Sequence, residues 1–139
     1  MSKLHTQKIW RNGRMIPWEE ATVHVLTHAL HYGSGAFEGI RCYETAEGPA
    51  IFRLREHLQR FVHSAGAYRI PLSHDLKVLE QAAVEVVRAN GMKSCYLRPL
   101  AFYGFGSLGV HPRNNPVETV IACWPWGAAT RSSGASRSG

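Results

Sequence analysis

The chain is short of acids, of cysteine and of lysine. Ten Asp and Glu stand against sixteen Lys and Arg, leaving a net charge of +6. That excess suits an anionic partner. No Lys/Arg run occurs, and no stripe of charge is interleaved with aromatics, so the sequence points away from nucleic acid and toward a small anionic ligand. The three cysteines, Cys42, Cys95 and Cys123, are odd in number, widely spaced and without a Cys-x-x-Cys pair. They read as reduced, mostly buried thiols of a cytoplasmic protein rather than as a disulfide framework. No apolar run approaches the ~18 residues that would suggest a membrane span. Met1-Ser2-Lys3-Leu4-His5 lacks the apolar core of a signal peptide. Gly104-Phe105-Gly106 with Gly109 is not in the strand-to-helix setting of a nucleotide loop.

What is present is a globular composition. The 139 residues are 45% apolar and 19% charged, enough for one domain with a real core. Asn12-Gly13 between Lys8–Trp10 and Met15–Trp18 predicts a hairpin. Thr22 to Leu26 is short and β-rich. Ala36 to Tyr43 and Ala50 to Arg53 read as a strand pair. Leu54, Leu58, Phe61, Val62 and Ala65 recur at helical spacing, predicting a helix over Arg55 to Ala67. A second helix carries Leu76, Leu79, Ala83, Val86 and Val87, with Ser73 as its N-cap, Asp75 in its first turn and Asn90-Gly91 as its stop. Ser94 to Phe102 and Glu118 to Trp124 are further strands around a Gly-rich loop over Tyr103 to Pro112. The expected fold is therefore α+β: a mostly antiparallel sheet with two helices. From Ala129 on there is no large apolar residue, so residues 129–139 read as a disordered Ser/Gly/Arg-rich tail.

The densest segment runs from His28 to Tyr43. Gly33 and Gly35 permit a tight approach there. Alternation then sets Phe37, Gly39, Arg41 and Tyr43 on one strand face and Glu38, Ile40 and Cys42 on the other. Tyr96 and Arg98, two apart on a strand, also share a face. A hydroxyl beside a guanidinium is a carboxylate receptor or, equally well, a structural cross-strand pair. His24, His28 and His31 have helical spacing, but no Cys, Asp or Glu joins them, so a zinc site is not expected. Glu38 reads as a general acid or, with Arg41 nearby, as half of an ion pair.

The run His28–Tyr43 resembles the branched-chain amino acid aminotransferases, pyridoxal phosphate enzymes of fold type IV. So do Ile9-Trp10-Arg11-Asn12-Gly13 with Trp18-Glu19-Glu20-Ala21, Phe52 to Arg60, Tyr96-Leu97-Arg98-Pro99 and Trp124-Pro125-Trp126-Gly127. The order and spacing hold from about residue 8 to residue 128. The resemblance implies that residues 1–128 are the N-terminal domain of a two-domain enzyme. It implies transfer of the amino group of leucine, isoleucine or valine to 2-oxoglutarate, and a homo-oligomer. Arg60 would contact the phosphate of pyridoxal 5'-phosphate. Phe37 would wall the side-chain pocket, Tyr96 and Arg98 would bind substrate carboxylates, and Tyr32 and Val110 would reach the pocket of a neighbouring subunit. The family's Schiff-base lysine lies in the second domain, and Lys3, Lys8, Lys77 and Lys93 do not match it. The isolated chain is thus expected to be inactive. D-amino acid aminotransferase or aminodeoxychorismate lyase kinship, or a non-catalytic truncated domain, is the alternative.

Overall fold

In the computed structural model, residues 6–112 and 114–125 are described. The predicted tail over 129–139, together with Lys3, Trp126 and Gly127, lies outside them. The described chain forms seven strands: β1 (Lys8–Arg11), β2 (Arg14–Pro17), β3 (Gly35–Phe37), β4 (Ile40–Thr45), β5 (Gly48–Ile51), β6 (Cys95–Tyr103) and β7 (Val117–Pro125). Three α-helices accompany them: α1 (His28–Tyr32), α2 (Leu54–Ala67) and α3 (Leu76–Ala89). The strands make one antiparallel sheet in the order β2-β1-β7-β6-β4-β5, with β3 also on β6. The α+β expectation is met, with the five-residue α1 added to the two predicted helices.

The hairpin forms where Asn12 and Gly13 adopt φ of 52° and 101°, the positive-φ pair that a two-residue turn between right-twisted strands requires. Asn12 then ties β1 to β7. Its Oδ1 accepts from the Thr119 N–H at 2.8 Å, and its Nδ2 donates to Glu118 at 2.8 Å.

Helix α3 starts later than Ser73 would allow. Asp75 is the N-cap, and its carboxylate accepts from the Val78 N–H at 3.0 Å, satisfying one of the open donors of the first turn. Residues 22–26 form no strand. Their polar groups are taken locally: the Leu26 N–H donates to His24 Nδ1 at 3.0 Å, and the Thr27 hydroxyl donates to the His24 carbonyl at 2.6 Å. Such local bonds compete with strand pairing.

The long strand predicted over Ala36 to Tyr43 is split at Glu38 and Gly39. Phe37 faces Leu100 and Ile40 faces Leu97, so the register runs unbroken through the gap. Pro99 lies across from Glu38. Its carbonyl accepts from the Glu38 N–H at 3.1 Å, but its own nitrogen has no hydrogen to return, and the ladder loses a rung.

Helices α2 and α3 cover one face of the sheet. Leu58, Phe61, Ala65, Leu79, Ala83 and Val86 are buried there against Ile40, Cys42, Cys95, Leu97, Ile121 and Cys123. Val62, counted on the apolar side of α2 from its spacing, is exposed. The three thiols are free and buried, and burial pushes Cys42 up to about 12, with Cys95 beside it adding to the shift.

Candidate active site

The opposite face of the sheet carries no helix among the described residues. On β6 the burial alternates, with Cys95, Leu97 and Pro99 inward and Tyr96, Arg98 and Leu100 outward. On β7, Ala122 and Trp124 stand outward beside them, opposite Arg98 and Tyr96. Phe37 stands on the same face and is 59% exposed.

These residues make a cage around one guanidinium. The Arg98 carbon Cζ lies 4.3 Å from the Phe37 ring centroid, 5.7 Å from Tyr96 and 5.9 Å from Trp124. The Tyr96 and Trp124 rings are 5.2 Å apart. Aromatic faces attract the cation and fix its plane. They offer no acceptor in that plane, and Arg98 Nε is buried without a hydrogen-bond partner. A buried donor left open is costly until an acceptor meets it. With Nε sealed among the rings, the Nη end of the guanidinium is the edge that suits a planar anion such as a carboxylate.

Gly39 makes room for this cage. A Cβ built there would overlap the Tyr96 hydroxyl. A larger residue at this point of the motif would displace the Tyr96 ring.

A second cationic group lies on the other side of the same strand segment. Glu38 points inward and is 6% exposed. Its carboxylate accepts from Arg60 Nε at 2.7 Å and Arg60 Nη2 at 2.8 Å, and is 3.1 Å from His57 Nδ1. Burial pushes the carboxyl up, but hydrogen bonds and charge from Arg60 and His57 outweigh it and hold it below the usual carboxylate range. The ion pair expected with Arg41 is thus made with Arg60. Arg41 belongs to the outward set of the alternation, and Glu38 to the inward set. Arg60 is 65% exposed, and among the described residues its Nη1 has no partner. That outer edge of the guanidinium suits a phosphate.

A third group gathers the residues expected to reach another subunit. The Tyr32 hydroxyl donates to the Leu108 carbonyl at 2.7 Å. His28, buried, bonds Ser34 Oγ at 2.8 Å and the Gly109 carbonyl at 2.9 Å. Thus α1 is tied to the loop that carries Val110. Tyr32 and Val110 are 47% and 70% exposed, and Val25, Leu30 and Phe105 are exposed as well. His24 and His31 spend ring nitrogens on backbone groups of their own segment.

The structure therefore unites Phe37, Tyr96 and Arg98, holds Arg60 in a separate cluster, and sets Tyr32 and Val110 on an exposed rim. Sequence reasoning missed Trp124 as a cage wall and the bond between Glu38 and Arg60. The signal for the second was present: an acid at an inward strand position, and His57 and Arg60 three apart on a helix. Among the described residues Lys8 and Lys77 are exposed, and Lys93 lies 3.9 Å from Glu44.

The described residues thus form an α+β domain with one open sheet face carrying a caged arginine and a second arginine held by an acid. The model of the family described as amino-transferase class IV matches residues 35–138, and the chain belongs to that family. It is 50% identical over 121 residues to a branched-chain-amino-acid aminotransferase of Escherichia coli, spanning 86% of this chain and 39% of that relative. Among solved structures, the T.th. branched-chain amino acid aminotransferase complexed with N-(5'-phosphopyridoxyl)-L-glutamate superposes with a TM-score of 0.86. The two are 55% identical, over 90% of this chain and 42% of that one. The Escherichia coli enzyme gives a TM-score of 0.84 at 47% identity, over 88% and 42%. The chain thus spans about two fifths of the length of these relatives.

Proposed function

We propose that this chain is the N-terminal part of a branched-chain amino acid aminotransferase that passes the amino group of leucine, isoleucine or valine to 2-oxoglutarate. The observation that carries the reading is Arg98, caged by Phe37, Tyr96 and Trp124 with its buried Nε unpartnered. Arg98 and the Tyr96 hydroxyl bind substrate carboxylates, and Phe37 walls the side-chain pocket. An aliphatic pocket discriminates by only about 1–3 kcal/mol per methylene, so Arg98 supplies the recognition of glutamate that an apolar wall cannot.

Pyridoxal 5'-phosphate, when bound, supplies the electron sink and carries the amino group between substrates. Arg60 is the residue of this chain that holds its phosphate. The lysine that anchors the cofactor comes from outside these 139 residues, and the chain by itself does not transaminate. Tyr32 and Val110 reach the pocket of a second copy. The exposed apolar side chains of Val25, Leu30, Tyr32, Phe105 and Val110 support that assembly, since apolar surface left open to solvent suits an interface. No helix of the described residues is long and apolar enough to cross a membrane, and the buried free thiols suit a cytoplasmic protein.

The test is Arg98→Ala in the complete enzyme. Steady-state kinetics are expected to show kcat/KM for glutamate falling on the order of 100-fold, with leucine much less affected, because a charged hydrogen-bond partner is lost. Equal losses for both substrates count against the assignment.

A further inference from the structure

Glu38 is a buried acid committed wholly to neighbours on α2. It sits in the interrupted strand between β3 and β4, with its N–H on the Pro99 carbonyl. Its two oxygens take the Nε and Nη2 donors of Arg60 at 2.7 and 2.8 Å. His57, one helical turn before Arg60, lies 3.1 Å from Oε1, which Arg60 Nη2 also meets. The contrast in exposure is large: 6% for the Glu38 side chain and 65% for that of Arg60. A fixed carboxylate grips a side chain that solvent would otherwise leave free to sample rotamers.

A guanidinium has five N–H donors in one plane. The grip of Glu38 consumes one edge. Nη1 and the second hydrogen of Nη2 remain, and they form a second fork on the adjacent edge, turned about 120° from the carboxylate in the guanidinium plane. We infer that Glu38 is the positioning residue of the phosphate site, holding Arg60 by one edge so that the other edge is presented to the cofactor phosphate. The inference rests on the reading of Arg60 as a phosphate ligand. Two effects of Glu38 oppose each other. Its negative charge repels a phosphate, while its hold removes the rotamer entropy that Arg60 otherwise loses on binding. The cation's own charge stands beside both anions, and the geometric hold on Arg60 is the effect that the test below isolates from the repulsion.

The test uses the complete enzyme and two probes, pyridoxal 5'-phosphate and pyridoxal, which lacks the phosphate. Dissociation constants come from equilibrium dialysis, without reference to turnover. Glu38→Gln keeps the shape but cannot serve both Arg60 and His57 as an ion. It is expected to weaken pyridoxal phosphate about tenfold, the size of one charge-assisted hydrogen bond, and to leave pyridoxal unchanged. In an Arg60→Ala background the same substitution should have no further effect. Arg60→Lys keeps the charge and loses the fork, so it should weaken pyridoxal phosphate in the same way even if Glu38→Gln folds poorly.

Several results overturn the inference. Equal weakening of both probes by Glu38→Gln makes Glu38 merely structural. Tighter pyridoxal phosphate binding makes it a competitor of the phosphate. Unchanged affinity in Arg60→Lys removes the need for an oriented fork. If Arg60→Ala weakens pyridoxal phosphate and Glu38→Gln does not, the positioning role alone falls. If Arg60→Ala has no effect, the phosphate reading falls and the role of Glu38 falls with it.

Discussion

The two faces of the sheet are built to opposite ends. The face under α2 and α3 is closed by Leu58, Phe61, Ala65, Leu79 and Val86, each fully buried. The other face presents Phe37, Tyr96, Arg98 and Trp124 with no helix over them among the described residues. On the covered face the buried acid Glu38 is satisfied by Arg60 and His57. On the open face the Arg98 Nε has no hydrogen-bond partner. Stability is therefore concentrated on one side, and unspent binding capacity on the other. A side chain on the covered face is expected to matter for folding, and one on the open face for ligand.

The sharpest way to break that contrast is Phe61→Ala. It empties a fully buried site between helix and sheet and should cost about 3–5 kcal/mol, read as a lower midpoint in urea denaturation of the complete enzyme. A loss below about 1 kcal/mol would mean that this face is not the main source of stability. Gly39→Ala is next. Its methyl group would meet the Tyr96 hydroxyl, and overpacking of this kind costs about 1–3 kcal/mol. Combining it with Tyr96→Ala should recover most of that cost, and failure to recover would show that the clash lies elsewhere. The smallest effect is expected from Phe37→Ala. With the ring 59% exposed, stability should change by no more than about 0.5 kcal/mol, while glutamate binding weakens because Arg98 loses the ring stacked on it. A large change in denaturation midpoint would instead assign Phe37 to the core.

Much of this was legible in the sequence because it rests on local rules. The Asn12-Gly13 turn, the apolar stripe of α3 and the alternation from Ala36 to Tyr43 each follow from spacing within a few residues. Tyr96 and Arg98 share a face for the same reason. Errors arose where a local rule met a longer-range competitor. Ser73 and Asp75 are both good caps, and the start of α3 decided between them. Thr22 to Leu26 has strand-forming residues, but His24 and Thr27 satisfy its backbone groups without a partner strand. The alternation over Ala36 to Tyr43 predicts a continuous strand, and the residue that interrupts it, Pro99, is far along the chain. Arg41 is near Glu38 in sequence, but the strand period sets the two on opposite faces, which leaves Glu38 to Arg60.

By itself, the sequence determined the two long helices, most of the strands, the Asn12-Gly13 turn, the inward and outward sets of each strand and the chemistry available on them. These depend on the 2.0 and 3.6 residue periods and on φ preferences, which act within a few residues. Only the tertiary structure decided which residues meet. The register of β6 against β3, β4 and β7 set Phe37 and Trp124 on the two sides of Arg98. The docking of α2 brought Arg60 and His57 to Glu38. Those pairings join residues about twenty to sixty positions apart, and they are fixed by burial and hydrogen bonding summed over the whole sheet rather than by any local preference.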